Sequence, residues 1–216
     1  KYFNKLTGLE TTKEISEIRP VAIMINNIYQ ALPQQGISEA DVVYEILAEG
    51  GITRLMAVYS DYTSMPEVGP VRSARDQHVQ LMFPLGAMYL HVGGSTYAKA
   101  LLSQYHYEAK SLDGYFQAGA LELDAQRNLT AAIEHCWFTS GELFSQAAAQ
   151  YRLDTEMDGP QQAVPVRPLR SGAPRVGGWG SVPALYPFFQ LCQQRVPLRC
   201  RESAICKITV RRAASG

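Results

Sequence analysis

The sequence predicts an α/β or α+β fold, a mixed β-sheet with flanking helices, on three observations. Residues 21–25 are a short continuous apolar run, the pattern of a strand buried on both faces, and residues 87–92 are a second buried-strand candidate. Between them, residues 43–60 alternate and are rich in β-favouring side chains. Three further stretches place apolar residues at helical spacing behind capping residues or turns.

Taken in order, Arg19-Pro20 ends a polar leader, and Val21-Ala22-Ile23-Met24-Ile25 forms the first strand, closed by Asn26-Asn27. Leu32-Pro33-Gln34-Gln35-Gly36 reads as a loop. Ser38-Glu39-Ala40-Asp41 then either caps a helix running to Gly50-Gly51 or precedes a strand pair. The strand pair is preferred: Val43, Glu45, Leu47 and Glu49 alternate with Tyr44, Ile46 and Ala48, and Gly50-Gly51 supplies the positive φ of a hairpin turn. An amphipathic helix is expected from near Ser73 to the residue before Pro84. The strand at 87–92 runs into Gly93-Gly94-Ser95-Thr96 and a helix carrying Ala98, Leu101 and Leu102, with Ser95 or Thr96 as its N-cap. A last helix starts at Thr139-Ser140-Gly141-Glu142, where Thr139 and Glu142 have capping-box spacing, and continues to about Arg152.

Formal charge is zero over 216 residues, yet the charge is divided unevenly along the chain. Residues 161–216 contain nine basic residues and one acid, together with Cys192, Cys200, Cys206 and half of the 12 prolines. The expected organisation is therefore a domain at 1–160 followed by a poorly ordered basic tail at 161–216. Nucleic-acid arms are Lys-rich and poor in aromatics, whereas this tail has one Lys and a Leu185-Tyr186-Pro187-Phe188-Phe189 cluster, so no nucleic-acid partner is expected. No apolar run reaches the roughly 18 residues of a membrane span.

Several side chains are candidates for a site. Arg72 and Arg75 lie three apart where a helix is expected to start, a position suited to phosphate or carboxylate; the alternative is pairing with Glu45, Glu49 or Asp76. Glu45 and Glu49, on one face of a strand with Arg54 entering from its hairpin partner, have the chemistry of an acid-base pair or of a divalent-cation site, or else of a solvated sheet face with cross-strand ion pairs. His91 stands near the carboxyl end of a strand, where open sheets place ligands, just before the Gly93-Gly94-Ser95 turn with its backbone N–H groups. The segment Gly93-Gly94-Ser95-Thr96-Tyr97 lacks the Gly-x-Ser-x-Gly pattern of a nucleophile elbow, so Ser95 reads as a helix cap. His78, His106 and His135 have no partner at metal spacing, and Cys136 reads as a buried small hydrophobe. No cofactor is identified.

Five segments carry a family resemblance: residues 19–27, 33–45, 49–54, 69–75 and 91–95, including Pro33-Gln34-Gln35-Gly36-Ile37-Ser38-Glu39-Ala40-Asp41 and Gly69-Pro70-Val71-Arg72-Ser73-Ala74-Arg75. Together they resemble the YerB-like lipoproteins of Gram-positive and related bacteria, over roughly residues 6 to 155. That family has no known activity. The resemblance implies an extracytoplasmic, lipid-anchored protein, although the signal peptide and lipidated cysteine do not occur in this sequence. By a looser analogy, a strand, a hairpin and following arginines also resemble the LytR-CpsA-Psr phosphotransferases, with no motif that transfers residue by residue. The resemblance stops near residue 161, which fits either a shifted reading frame into the family's second domain or a genuine lineage-specific tail.

The leading expectation is a domain that binds an anionic cell-envelope ligand, such as a phosphate or carboxylate, through Arg72, Arg75 and the Gly93-Gly94-Ser95 turn, with Arg54, Arg72, Arg75, Glu45, Glu49 and His91 around one concave site. The alternatives are a metal-assisted phosphoryl or glycosyl-phosphate transferase using Glu45, Glu49 and Asp76, and a structural interaction domain. Neither a reaction nor an oligomeric state is named by these residues.

Overall fold

The structure, a computed structural model, describes residues 2–157 and the backbone of 206–210. Nearly all of the expected basic tail, and its shifted-frame or lineage-specific origin, therefore lies outside the described residues. The expected polar leader contains a small hairpin, β1 (Tyr2–Phe3) with β2 (Glu10–Thr11), and a short helix, α1 (Lys13–Glu17), capped by Thr12.

The first apolar run is β3 (Val21–Ile25), whose five residues are all fully buried. It lies inside the main sheet and is covered on both faces, which explains a run with no polar alternation. β4 (Val42–Leu47) and β5 (Thr53–Tyr59) form the antiparallel hairpin expected over the helical alternative, with Gly50 and Gly51 at φ of 67° and 78° in its turn. Along β4 burial alternates because each side chain points opposite to its neighbour, whereas β5, further inside the sheet, is buried continuously from Met56 to Tyr59. β6 (Met88–His91) and β7 (Ser111–Asp113) follow in parallel with β3, and β10 (Cys206–Val210) lies antiparallel along β4. The sheet order is β10-β4-β5-β3-β6-β7. A second small hairpin joins β8 (Glu122–Leu123) to β9 (Trp137–Phe138).

Helices cover both faces. α2 (Asp76–Met82) and α3 (Thr96–Gln104) pack Val79, Met82, Ala98 and Leu102 against Ala22, Met24, Tyr44, Met56 and Tyr89. α4 (Gly141–Gln150) packs Phe144, Ala147 and Ala148 against Val21, Ile23, Ala57, Met88 and Leu90. Mixed strands between helical layers are the α/β architecture the sequence predicts.

Two boundaries differ from expectation. α2 begins at Asp76 rather than near Ser73, because residues before it are held extended by bridges from Val71 to Ile25 and from Ala74 to Gly94. The cap of α4 is Ser140, whose Oγ accepts from the Leu143 N–H at 3.3 Å. Thr139 cannot serve, since its backbone is paired in both directions with Val68.

The extended arm that precedes α2 is also fixed at its start. Gly36 has φ of 75°, and a Cβ there would stand 2.4 Å from the Glu67 carbonyl oxygen, while Gln35 and Gly69 exchange backbone hydrogen bonds. Gly36→Ala is expected to cost about 2–3 kcal/mol, from left-handed backbone strain plus overpacking, read as a lower urea midpoint with unchanged m-value.

Candidate functional site

The arm at residues 68–75 runs along the carboxyl ends of β3 and β6 and delivers Arg72, Ser73 and Arg75 to that edge of the sheet. Arg72 N–H donates to the Met24 carbonyl at 2.8 Å and Val92 N–H to the Arg72 carbonyl at 3.2 Å, so this arm is stitched to both neighbouring strand ends. Beside it the β4–β5 turn raises Glu49, and the Gly93–Ser95 turn closes the far wall. The result is an open cleft of about 500 Å³ lined by Glu49, Ser73, Arg75, Asp76, Gly94 and Ser95, among others.

Its charged centre is a carboxylate between two guanidinium groups. Arg75 forks onto Glu49, with Nε donating to Oε2 at 2.6 Å and Nη2 to Oε1. Arg54 reaches the same Oε1 at 3.5 Å and donates through Nη1 to the Ser73 carbonyl at 2.9 Å. The three differ in exposure: the Arg54 side chain is 4% exposed, Arg75 18% and Glu49 56%, so Arg75 and Glu49 line the cleft while Arg54 lies buried behind them. Hydrogen bonding from Arg75, helped by the charge of Arg54, holds the Glu49 carboxyl down at about 2 against its partial burial. Burial, joined by the charge of Arg75, brings Arg54 down to about 10, which still leaves it protonated at neutral pH. Two cations face Glu49, and Asp76 on the cleft wall supplies a second carboxylate, so the charges of the site balance and the Arg75 donors, rather than a surplus of charge, define it.

The expectation of one concave site holding every candidate is corrected in three places. Glu45 pairs in register with Leu55, whereas Arg54 pairs with Ile46, so Glu45 and Arg54 point to opposite sheet faces. Glu45 accepts instead from Thr53 Oγ1 at 2.9 Å, in a network where Asn27 Nδ2 donates to Thr53 at 2.7 Å and Gln34 Nε2 to Asn27 Oδ1 at 2.7 Å. Arg72, on extended rather than helical backbone, diverges from Arg75 and pairs with Glu134 at 3.1 Å. Glu134 also lies 3.7 Å from His135 Nε2, and His135 Nδ1 meets the buried Asn26 side chain at 3.0 Å.

His91 is buried and points away from chemistry. Its Nδ1–H donates to the Gly93 carbonyl at 2.7 Å, leaving Nε2 to accept from Ser111 Oγ at 3.2 Å, and burial lowers its pKa. The glycine turn is likewise partly committed: Gly93 N–H donates to Asp113 Oδ1 at 2.6 Å and Ser95 N–H to the Ala74 carbonyl at 3.1 Å. Two N–H groups expected to cradle an anion are thus spent on holding the turn. Ser95 caps α3 by accepting from Ala98 N–H at 3.1 Å, as its sequence context predicts.

Asp113 escaped sequence reasoning, since its value lies in a contact between strand ends that no local pattern encodes. The acid-base alternative loses its convergence here: Glu45 is on the other face, Glu49 is bound to arginines, and Asp76 stands alone with Glu49 in the cleft. Among the described residues no three His, Cys, Asp or Glu side chains group as a metal site would require.

Comparison with known proteins agrees with this frame. The family described as "Protein of unknown function (DUF3048) N-terminal domain" matches residues 6–154, more than half of the chain. The chain belongs to that family. It is 49% identical over 98 residues to "Putative lipoprotein YerB" of Bacillus subtilis strain 168, a match covering 45% of this chain and 29% of that protein. The crystal structure of the Bacillus subtilis YerB protein superposes with a TM-score of 0.63 at 34% identity, over 73% of this chain and 52% of that one. The chain thus spans about half the length of the solved relative. The matched region contains Arg54, Arg75, Glu49 and the Gly93–Ser95 turn.

Proposed function

We propose that this DUF3048 domain binds an anionic group of the bacterial cell envelope, a phosphate or a carboxylate, in the cleft lined by Arg75, with Arg54 buried behind it. The observation that carries this reading is the Arg75 fork closed by an exposed carboxylate. A guanidinium fork presents two parallel donors that suit a carboxylate or phosphate, and Glu49 occupies it as a ligand oxygen pair would. Glu49 sits at the tip of a Gly-Gly hairpin rather than on a rigid strand, so a ligand anion exchanges with it by a local turn movement. The lipoprotein name belongs to the Bacillus relative; we extend it to this chain, with the domain outside the cytoplasm on a lipid anchor and its ligand among the phosphate- and carboxylate-bearing polymers there.

Calorimetric titration with inorganic phosphate at low ionic strength tests the reading. Removing the internal competitor by Glu49→Gln is expected to tighten binding about tenfold, and Arg75→Ala to weaken it by at least as much. Both effects shrink as salt rises, because the cleft is open to solvent. Absence of phosphate binding in both the unsubstituted protein and Glu49→Gln overturns the proposal.

A further inference from the structure

Beside the cleft, three aromatic side chains stand in solvent: Tyr97 is 75% exposed, Tyr115 75% and Phe116 72%. Scattered exposed apolar residues are ordinary, but Tyr115 and Phe116 touch each other, and Lys99 links Phe116 to the cleft wall. Tyr97 is in the first turn of α3, two residues after Ser95. Tyr115 and Phe116 pack edge to face with ring centroids 5.2 Å apart. Lys99 connects them to the cleft: its Nζ lies 5.7 Å from the Phe116 centroid, and its stem passes 3.7 Å from where a Cβ on Gly94 would stand.

The loop that carries the two rings is fixed rather than loose. Asp113 Oδ1 accepts from Tyr115 N–H at 3.1 Å and from Gly93 N–H at 2.6 Å, so one carboxylate ties the aromatic loop to the cleft turn. Phe116 and Gln117 N–H groups both donate to the Asp113 carbonyl at 2.9 Å, and Gln117 Oε1 accepts from Asp113 N–H at 2.7 Å. Gly114 packs so closely that a Cβ would meet Leu121 Cδ1 at 2.1 Å. This bracing keeps the rings outward, where they lose water contact only when something stacks on them.

We propose that the anion taken by the cleft is carried on a sugar, so that a hexopyranosyl phosphate is the ligand class, its ring stacked on Tyr115 and Phe116 and its phosphate directed to Arg75. The inference rests on the anion-binding reading of the cleft and adds the part of the ligand that reading leaves open. A pyranose ring suits this place because it offers an apolar C–H face to an aromatic platform and hydroxyls to a polar rim. Rigid aromatic rings give such contacts at small entropic cost, and the charge of Lys99 between platform and cleft complements an anionic ester.

The test is calorimetric titration of the full chain with three probes: glucose 1-phosphate, inorganic phosphate and methyl glucoside. Glucose 1-phosphate is expected to bind about tenfold more tightly than inorganic phosphate. The double substitution Tyr115→Ala, Phe116→Ala should remove that advantage while leaving phosphate affinity and the thermal midpoint unchanged, since both rings are exposed. Equal affinity for the two phosphates, with the double variant silent, overturns the sugar inference and leaves the anion site standing. Methyl glucoside binding as tightly as glucose 1-phosphate, with no effect of Arg75→Ala, overturns it in favour of a neutral glycan. Loss of all phosphate binding overturns both readings together.

Discussion

Arg19→Leu is expected to destabilise the domain by about 3 kcal/mol, because a buried guanidinium organises three separate carbonyl acceptors and a carboxylate. The residue is 2% exposed at the entrance to β3. Its Nε donates to the Asp154 carbonyl at 2.8 Å, Nη1 to the Gly86 carbonyl at 2.7 Å, and Nη2 to Asp154 Oδ2 at 2.7 Å and to the Glu156 carbonyl at 2.5 Å. These acceptors belong to the turn before β6 and to the segment after α4, so one side chain clamps the start of the sheet to the end of the domain. Isolated buried ion pairs are often replaceable by apolar groups, but here a leucine leaves backbone oxygens without donors. Asp154 is partly solvated and an amide oxygen there can still accept from Nη2, so Asp154→Asn should cost much less, about 1 kcal/mol, loss of the Lys110 pair at 3.4 Å included. Arg19→Lys should fall between them, since a point charge cannot reach acceptors on several sides. Urea denaturation of the three variants gives the ranking; equal midpoints for Arg19→Leu and Asp154→Asn would show that the carbonyl contacts contribute nothing.

Arg19 also illustrates what the sequence leaves illegible. Arg19-Pro20 reads as the end of a polar leader, and nothing local shows that residue 154 supplies its partner. Strands were legible where burial imposes a period. Residues 21–25 are uniformly apolar because helices cover both faces, and residues 42–47 alternate because β4 sits towards the edge. Helix starts were legible where a hydroxyl caps, as at Ser95, but not where the backbone is claimed from a distance, as at Thr139 and in the arm before Asp76.

The site divides along the same line. Glu49, Arg54 and Arg75 meet because a hairpin, visible as a pattern, and the extended arm before Asp76, which is not, bring them to one sheet edge. Glu45 differs by a single register step: an even separation along the strand from Glu49 suggests a shared face, but β4 ends at Leu47 and the turn from Ala48 re-aims Glu49. The turn geometry at Gly50 and Gly51 decides which carboxylate reaches the arginines, and alternation alone cannot encode it.

Acidification from pH 6.5 to about 4 is expected to remove on the order of 3 kcal/mol of stability through His78. The ring is fully buried on the inner face of α2, with its Nε2–H donating to the Arg54 carbonyl at 3.1 Å. Burial holds its pKa down at about 4, with the nearby charges of Arg54 and Arg75 acting in the same direction against the backbone hydrogen bond. The unfolded chain therefore binds a proton near pH 6.5 that the folded chain refuses until about 4, so the unfolded state gains stability as pH falls through that window. Burial lowers His91 and His135 as well, adding to the same slope. Glu49 acts in a separate range: its stabilisation is present above about 4.5 and is lost only as pH falls towards its folded value of about 2. Urea midpoints measured at pH 7.0, 6.0, 5.0 and 4.5, with His78→Gln as the comparison, should show a falling curve for the unsubstituted chain and a shallower one for the variant, whose amide can still donate to the Arg54 carbonyl. Parallel curves for the two proteins would assign the acid sensitivity to the other histidines and remove His78 from it.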